Sequence, residues 1–318
     1  MPALIAAIIM LFTCPMPAAH AQADFIKWVD FNVPSSVLKK ACEYDAAAMG
    51  KNPQHKMEVS LAYLAAKNGN KFKSTRDLAA LKDYISKTAD GQTTAQELLG
   101  SSKYFEHYRE AYGAVFAGFI SPYIDGGQQP GYGLTAYFPL AKGFWFSGYD
   151  DFGNARSFGF KRKHLGHDIF GSTGTPVIAV EGGTITELGW NQYGGWRVGV
   201  RSHDTKRYYY YAHLRKNKPY AAGLEKGSTV TAGQVIGYLG ATGYSRTENK
   251  NMKTRPHLHF GMQLIFDESQ VKGNGEIWID VYSICALLES NRATVQKDEQ
   301  TGEYQSINLK QVIAREGS

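Results

Sequence analysis

Past residue 21 the chain has no stretch long and apolar enough to span a bilayer, so no stable transmembrane segment is expected in a mature chain. Charge is not abundant either. With 20% charged and 43% hydrophobic residues among 318, the composition is that of an ordinary globular protein and excludes disorder for its bulk. The net charge of +6 would draw the chain toward anionic polymers without singling one out, and nothing points to nucleic acid. Cysteine is scarce: Cys14, Cys42 and Cys285 are the three. The last two either pair across the two ends of the chain or remain free buried thiols. The N-terminus lacks a basic residue ahead of the apolar run Leu4 to Phe12. That run and the following Ala19-His20-Ala21 still read as an export signal cleaved before Gln22, the alternative being a retained anchor. A lipid on Cys14 is disfavoured by Thr13 before it.

Beyond the signal, apolar residues first recur at helical spacing. Val37, Leu38, Ala41 and Cys42 define a helix capped by Ser35 or Ser36 and ended by Gly50. Met57, Leu61 and Leu64 mark a second helix, stopping near Asn68-Gly69, and Thr75 opens a third with Leu78, Leu81 and Ile85. Thr94 and Glu97 have capping-box spacing for a short fourth, and Tyr104 to Phe119 form a fifth. Ser121 to Gly133, with Pro122, Pro130 and several glycines, reads as a linker or long loop. After it the period becomes alternating. Pro176 to Val180 and Thr184 to Leu188 fit a hairpin through Gly182-Gly183, and Val198 to Ser202 with Arg207 to Tyr211 flank a polar turn. Val235 to Leu239 and His257 to Phe266 add strands. The expected organisation is α+β: signal 1–21, a small N-terminal helical domain 22–133, a mostly antiparallel β-sheet domain 134–290, and a polar tail 291–318.

Four histidines demand explanation. His257 and His259 are two apart in an apolar strand, so they share a face, and two buried imidazoles side by side are costly without a partner. A shared metal resolves that cost, although His-x-His alone is a moderate signal and does not say which histidine binds. His164 and Asp168, in His164-Leu-Gly-His-Asp168, are too far apart in a straight strand to share an ion, and Gly166 permits the bend that would bring them together. His167 then points elsewhere, in a structural role. His213 ends a tyrosine-rich strand; its parity matches Tyr209 and Tyr211, which puts those rings on its cleft wall and leaves Tyr208 and Tyr210 to sheet packing.

His164-Leu-Gly-His-Asp168, Tyr211-Ala-His213-Leu214 and Pro256-His257-Leu-His259-Phe260 resemble the three motifs of lysostaphin-type (LytM-like) zinc metalloendopeptidases. Gly171 to Ala179, Gly189 to Gly195 and Gly240-Ala-Thr-Gly243 extend the likeness, which covers roughly residues 135 to 285 in order but not the helical part. The resemblance implies a β-sheet metallopeptidase domain of the duplicated-hybrid-motif type, cutting peptide bonds of bacterial cell-wall peptidoglycan, in a secreted or wall-associated protein. By the same resemblance His164, Asp168 and His259 correspond to the Zn2+ ligands, and His213 and His257 to the catalytic pair; no organic cofactor is implied. Three protein ligands leave a fourth position open, the layout of a catalytic site. One departure stands out. Several relatives have a tyrosine six residues before the first ligand to steady the oxyanion; here it is Phe158, leaving Arg156 or another tyrosine for that task.

Other candidates have blander explanations. Trp190 and Trp196 either wall the groove or cover a core edge; His55, His107 and His203 are read as ordinary helix and turn residues, and Lys161-Arg162-Lys163 as a solvated charge run. Two rival functions are a non-enzymatic scaffold of the same fold, which would lack some of the five positions, and a zinc peptidase acting on non-wall peptides. The sequence carries no indication of oligomeric state.

Overall fold

A computed structural model of the chain describes residues 27–313 apart from 30, 52, 53, 101, 127, 128, 159 and 274, so the expected signal, with Cys14, lies outside the described residues. The five helices form where the apolar stripes run: Ser35–Ala47, Met57–Asn68, Ser74–Lys87, Ala95–Leu98 and Phe105–Phe116. Gly69 ends the second in the left-handed conformation, and Thr94 and Glu97 form the anticipated capping box. The first helix is not capped by Ser35 or Ser36. Pro34 holds that position with extended backbone, and no side chain caps the helix.

The sheet half is built on nine strands in the order 27–29, 277–279, 257–264, 207–212, 195–202, 183–191 and 229–230, with 167–171 alongside the first half of 257–264 and 146–147 beyond it. Only the pairing of Lys27–Val29 with Ile277–Ile279 is parallel among the pairs given for this sheet. The polar turn at 203–206 joins two antiparallel neighbours as expected. The hairpin expected through Gly182-Gly183 does not form. Pro176–Ile178 pairs instead with Val235–Tyr238, and Gly183–Asn191 pairs with Gly195–Ser202 and Thr229–Val230. Two β-rich runs joined by glycines satisfy the local signal, but each run finds its partner farther along the chain.

The segment expected as a linker is also a hairpin, Ile120–Asp125 against Gln129–Leu134. Its glycines mislead because Gly131 serves packing rather than turning: a β-carbon there would lie 2.6 Å from the ring of its cross-strand partner Tyr123. Nor is 291–318 a loose tail. Residues 294–297 pair with 304–307, and Lys310–Val312 forms the outer strand on Ile120–Asp125.

Helices and sheet share one core, in which Leu38, Leu61 and Phe116 join Val198, Tyr209 and Phe260. A buried polar joint crosses that boundary. Arg207, 1% exposed, donates from Nε and Nη2 to both oxygens of Glu181 (2.8 and 2.9 Å) and from Nη1 to the carbonyl of Ala114 in the fifth helix (2.9 Å). Cys42 and Cys285 are buried and unpaired, and burial pushes the Cys42 thiol up to about 12.

Candidate metal centre and active-site cleft

The site is assembled by strand register. In the pairing of His167–Gly171 with His257–Leu264, Asp168 stands directly opposite His259, and Phe170 opposite His257. Directly opposed residues put their side chains on the same face about 5 Å apart, so Asp168 and His259 meet across the ladder while His257 lies further along that face. His164 precedes the strand and reaches the same point because the chain folds back between Lys163 and His167. Gly166 makes this possible by close approach: a β-carbon there would sit 2.6 Å from the carbonyl of Phe260 and 2.7 Å from the ring of His259.

Three donor atoms converge. His164 Nε2 lies 2.8 Å from His259 Nδ1 and 3.0 Å from Asp168 Oδ1, and His259 Nδ1 is 3.1 Å from the same oxygen. These separations approach the roughly 3.3 Å edge of a tetrahedron with bonds of about 2.0–2.1 Å, and two imidazoles with a carboxylate suit a zinc-sized ion. Among the described residues this is the group whose ligand atoms all lie within 4.8 Å of one another.

Around the cluster lies a supporting layer invisible to motif reading. His164 Nδ1 faces the backbone carbonyl (3.1 Å) and Oδ2 (3.2 Å) of buried Asp151, so it donates, and Nε2 is aimed into the cluster. Arg156 Nη2 bridges Asp151 Oδ2 (2.8 Å) and Asp168 Oδ2 (3.1 Å), which aims Asp168 Oδ1 at the two histidines. His167 points away, its Nδ1 3.6 Å from Asp151 Oδ1 and its ring against Tyr282.

The charges follow from these contacts. Burial pushes the Asp168 carboxyl upward, but hydrogen bonds from His164 and His259 outweigh it and hold Asp168 well below the usual range. Asp151 falls to about 2, its burial likewise outweighed by His164 and His167. Burial opposes a proton on His164, yet Asp151 and Asp168 together raise it to about 9. His259 is lowered, by burial first and by the charge of His164.

His213 arrives by a different device. Its strand ends at Ala212, opposite His259, and His213 takes a left-handed backbone with φ of 62°. That turn reverses the parity of the strand. Tyr209 and Tyr211 are fully buried in the core, and Tyr208 and Tyr210 face the cleft, the opposite of the alternation expected from His213. The His213 ring centroid lies 4.8 Å from that of His257 and 6.0 Å from that of His259. Its Nδ1 donates to the carbonyl of Thr242 (2.8 Å), giving the Gly240–Gly243 motif a task, and His257 Nδ1 donates to the carbonyl of Arg255 (2.8 Å). Both rings are thus held through Nδ1, and burial, reinforced by the neighbouring histidines, keeps His213 well below its ordinary value.

The cleft extends both ways from the cluster. One arm of about 680 Å³ runs past Tyr193, Tyr208, Tyr210 and Trp278, with Glu187 and Glu276. The other, about 950 Å³, passes Phe158, Phe170, His257 and Arg255; Arg156 and Tyr244 border both. Phe158 packs edge-on to Tyr193 and Tyr244, Arg156 is committed to the two carboxylates, and the Tyr244 ring centroid lies 5.5 Å from that of His213. Trp190 and Trp196 pack on each other, and Trp196 donates to Asn249 (2.9 Å), away from either arm.

An antiparallel sheet that gathers two imidazoles and a carboxylate beside two further histidines defines a candidate hydrolytic metal centre. Residues 162–272 match the model described as Peptidase family M23. Over 125 residues it is 42% identical to the L-Ala–D-Glu endopeptidase of Bacillus subtilis (strain 168), covering 39% of this chain and 37% of that protein. It is 42% identical over 98 residues to lysostaphin of Staphylococcus simulans (30% and 17%), and 32% identical over 99 residues to the peptidoglycan DD-endopeptidase ShyC of Vibrio cholerae (31% and 20%). The chain thus spans well under half the length of these relatives. No described helix is long and apolar enough to cross a membrane.

Proposed function

We propose that the protein is an extracytoplasmic zinc endopeptidase hydrolysing amide bonds in the peptides of bacterial peptidoglycan, cross-links between stem peptides foremost. The observation that carries this reading is the convergence of His164, Asp168 and His259 beside two histidines whose Nε2 atoms are free. Two of the relatives are named endopeptidases, one of them a peptidoglycan DD-endopeptidase, which supports the substrate class.

In this reading His164, Asp168 and His259 would hold the ion. Zinc bound there would polarise the scissile carbonyl and acidify a water toward neutrality. His213 and His257 do the proton work: their Nε2 atoms accept the proton of the attacking nucleophile and return it to the departing amine, a contribution of about 10²–10⁴-fold. Backbone carbonyls at Thr242 and Arg255 keep both rings oriented for this. Tyr244 takes the oxyanion-facing position that Phe158 cannot fill. Glycosidases use paired carboxylates instead, and the Asp151–Asp168 pair is tied up by Arg156.

The test is digestion of purified peptidoglycan. Free amino groups should appear without new reducing sugar ends, chelator should stop their release, and zinc should restore it. Reducing ends without amines would refute the reading, and cleavage of unrelated proteins with peptidoglycan untouched would move it to non-wall substrates.

A further inference from the structure

The two arms of the cleft differ in charge. The tyrosine-lined arm carries both signs, with Glu187 and Glu276 among its cations. In the other arm the sole acidic lining residue is Asp168, which belongs to the metal cluster and is bridged by Arg156. What remains there is cationic: Lys250, Lys253 and Arg255, all exposed. Among the described residues none of the three lies within ion-pair distance of a carboxylate, whereas Arg207, Arg215 and Arg201 elsewhere each have one.

Arg255 is also fixed relative to the chemistry. Its carbonyl accepts the Nδ1 proton of His257, and its guanidinium lies 5.3 Å from the ring centroid of Phe170, the residue opposite His257 in the ladder. Two residues of extended chain separate Arg255 from His257, about 7 Å. A peptide lying in this arm therefore meets unpaired positive charge within about two residues of the bond being cut, above an aromatic floor.

We propose that this arm is a carboxylate subsite: the preferred substrate carries a free carboxylate within two residues of the scissile bond on the His257 side, gripped by Arg255 and Lys253. The substrate class is an acidic peptide, whether the carboxylate is a side chain or a free α-carboxylate on a residue linked through its side chain. The proposal rests on the peptidase reading of the same site. Arginine suits the role through bidentate donation to a carboxylate, and partial solvent exposure limits the gain to about tenfold.

The experiment uses synthetic peptides built around a bond cleaved in peptidoglycan, in three forms: side-chain carboxylate, free α-carboxylate, and the matching amide. The ratio of kcat/KM for acid over amide is measured for the full chain and for the charge-reversed pair Lys253→Glu with Arg255→Glu. Binding of the same peptides to chelator-treated protein is measured by calorimetry. Wild type should favour one or both acids by about tenfold, the two acid forms identifying the source of the carboxylate. The double variant should favour the amide, and raised salt should compress the wild-type ratio. An acid-to-amide ratio near one in wild type, or a preference that survives the charge reversal, would overturn the subsite. If no peptide is cleaved, the hydrolytic reading fails, and the binding ratio still decides the subsite by itself.

Discussion

His257 and His259 stand two residues apart on one face of one strand, yet their surroundings are opposite. His259 turns Nδ1 into a knot of polar atoms from His164 and Asp168, with no carbonyl to hold it. His257, like His213 across the cleft, has Nδ1 tied to a carbonyl and Nε2 left free, 3.9 Å from Asp168 Oδ1. The difference teaches that the assignment follows from what the working nitrogen of each ring meets. His164 is also tied to a carbonyl through Nδ1, yet its Nε2, like His259 Nδ1, converges with other donors and is suited to share an ion, whereas His257 and His213 stand beside that convergence and are suited to carry protons.

The largest effect should come from the knot. His164→Ala, Asp168→Ala or His259→Ala is expected to abolish or strongly weaken binding of about one zinc per chain, and turnover with it, by metal analysis and assay. Full zinc occupancy in all three variants would erase the contrast. Next come His213→Ala and His257→Ala, which should keep the zinc while losing about 10²–10⁴-fold in turnover. If His257→Ala lost the ion as completely as His259→Ala, the roles of the two rings would be exchanged. A smaller effect is expected from Asp151→Asn, which touches no ion but removes charge behind His164. Zinc affinity should fall about 10–100-fold, measured by competition with a chelator, and unchanged affinity would leave Asp151 without a share in the knot.

The smallest and most diagnostic effect is in pH. Without metal, His164 titrates at about 9 in the fold against 6.5 as an ordinary histidine, so its contribution to stability is complete below about 6.5 and lost as pH rises toward 9. Asp168 and Asp151 are depressed, so theirs is present above about 4 and lost as pH falls further. The melting temperature of chelated protein should therefore peak between those limits and decline toward pH 9. Zinc-loaded protein should not decline over that range, because protons compete with the ion. A chelated protein that gained stability from pH 6.5 to 9 would contradict the ionisation of the knot.

Much of this site was legible in the sequence, and the failures have identifiable physics. The apolar periodicity located the helices because the buried stripes are continuous. The His-x-His pair and the bend at Gly166 pointed to an ion, but the choice of His259 came from resemblance, since the register that sets His259 opposite Asp168 is a tertiary fact. The tyrosine alternation was read in the wrong phase because one residue, His213, leaves the extended region. Asp151 carries no spacing signal, as it reaches His164 through a loop. The hairpin at 120–134 was hidden by its glycines and prolines, of which Gly131 makes room for a cross-strand ring, and strand partners were misassigned where local pairing yielded to distant pairing.

Strand His257–Leu264 has neighbours on both sides. Arg207–Ala212 runs along one side, and His167–Gly171 followed by Ile277–Ile279 along the other. Amides locked in this way exchange with solvent only when the whole fold opens, rather than through local fraying. The two histidines at the head of the strand thus inherit the slowest motions in the molecule. On heating, catalytic competence should not soften ahead of the fold. It should vanish in the same cooperative step, with the deuterium uptake of this strand marking the moment.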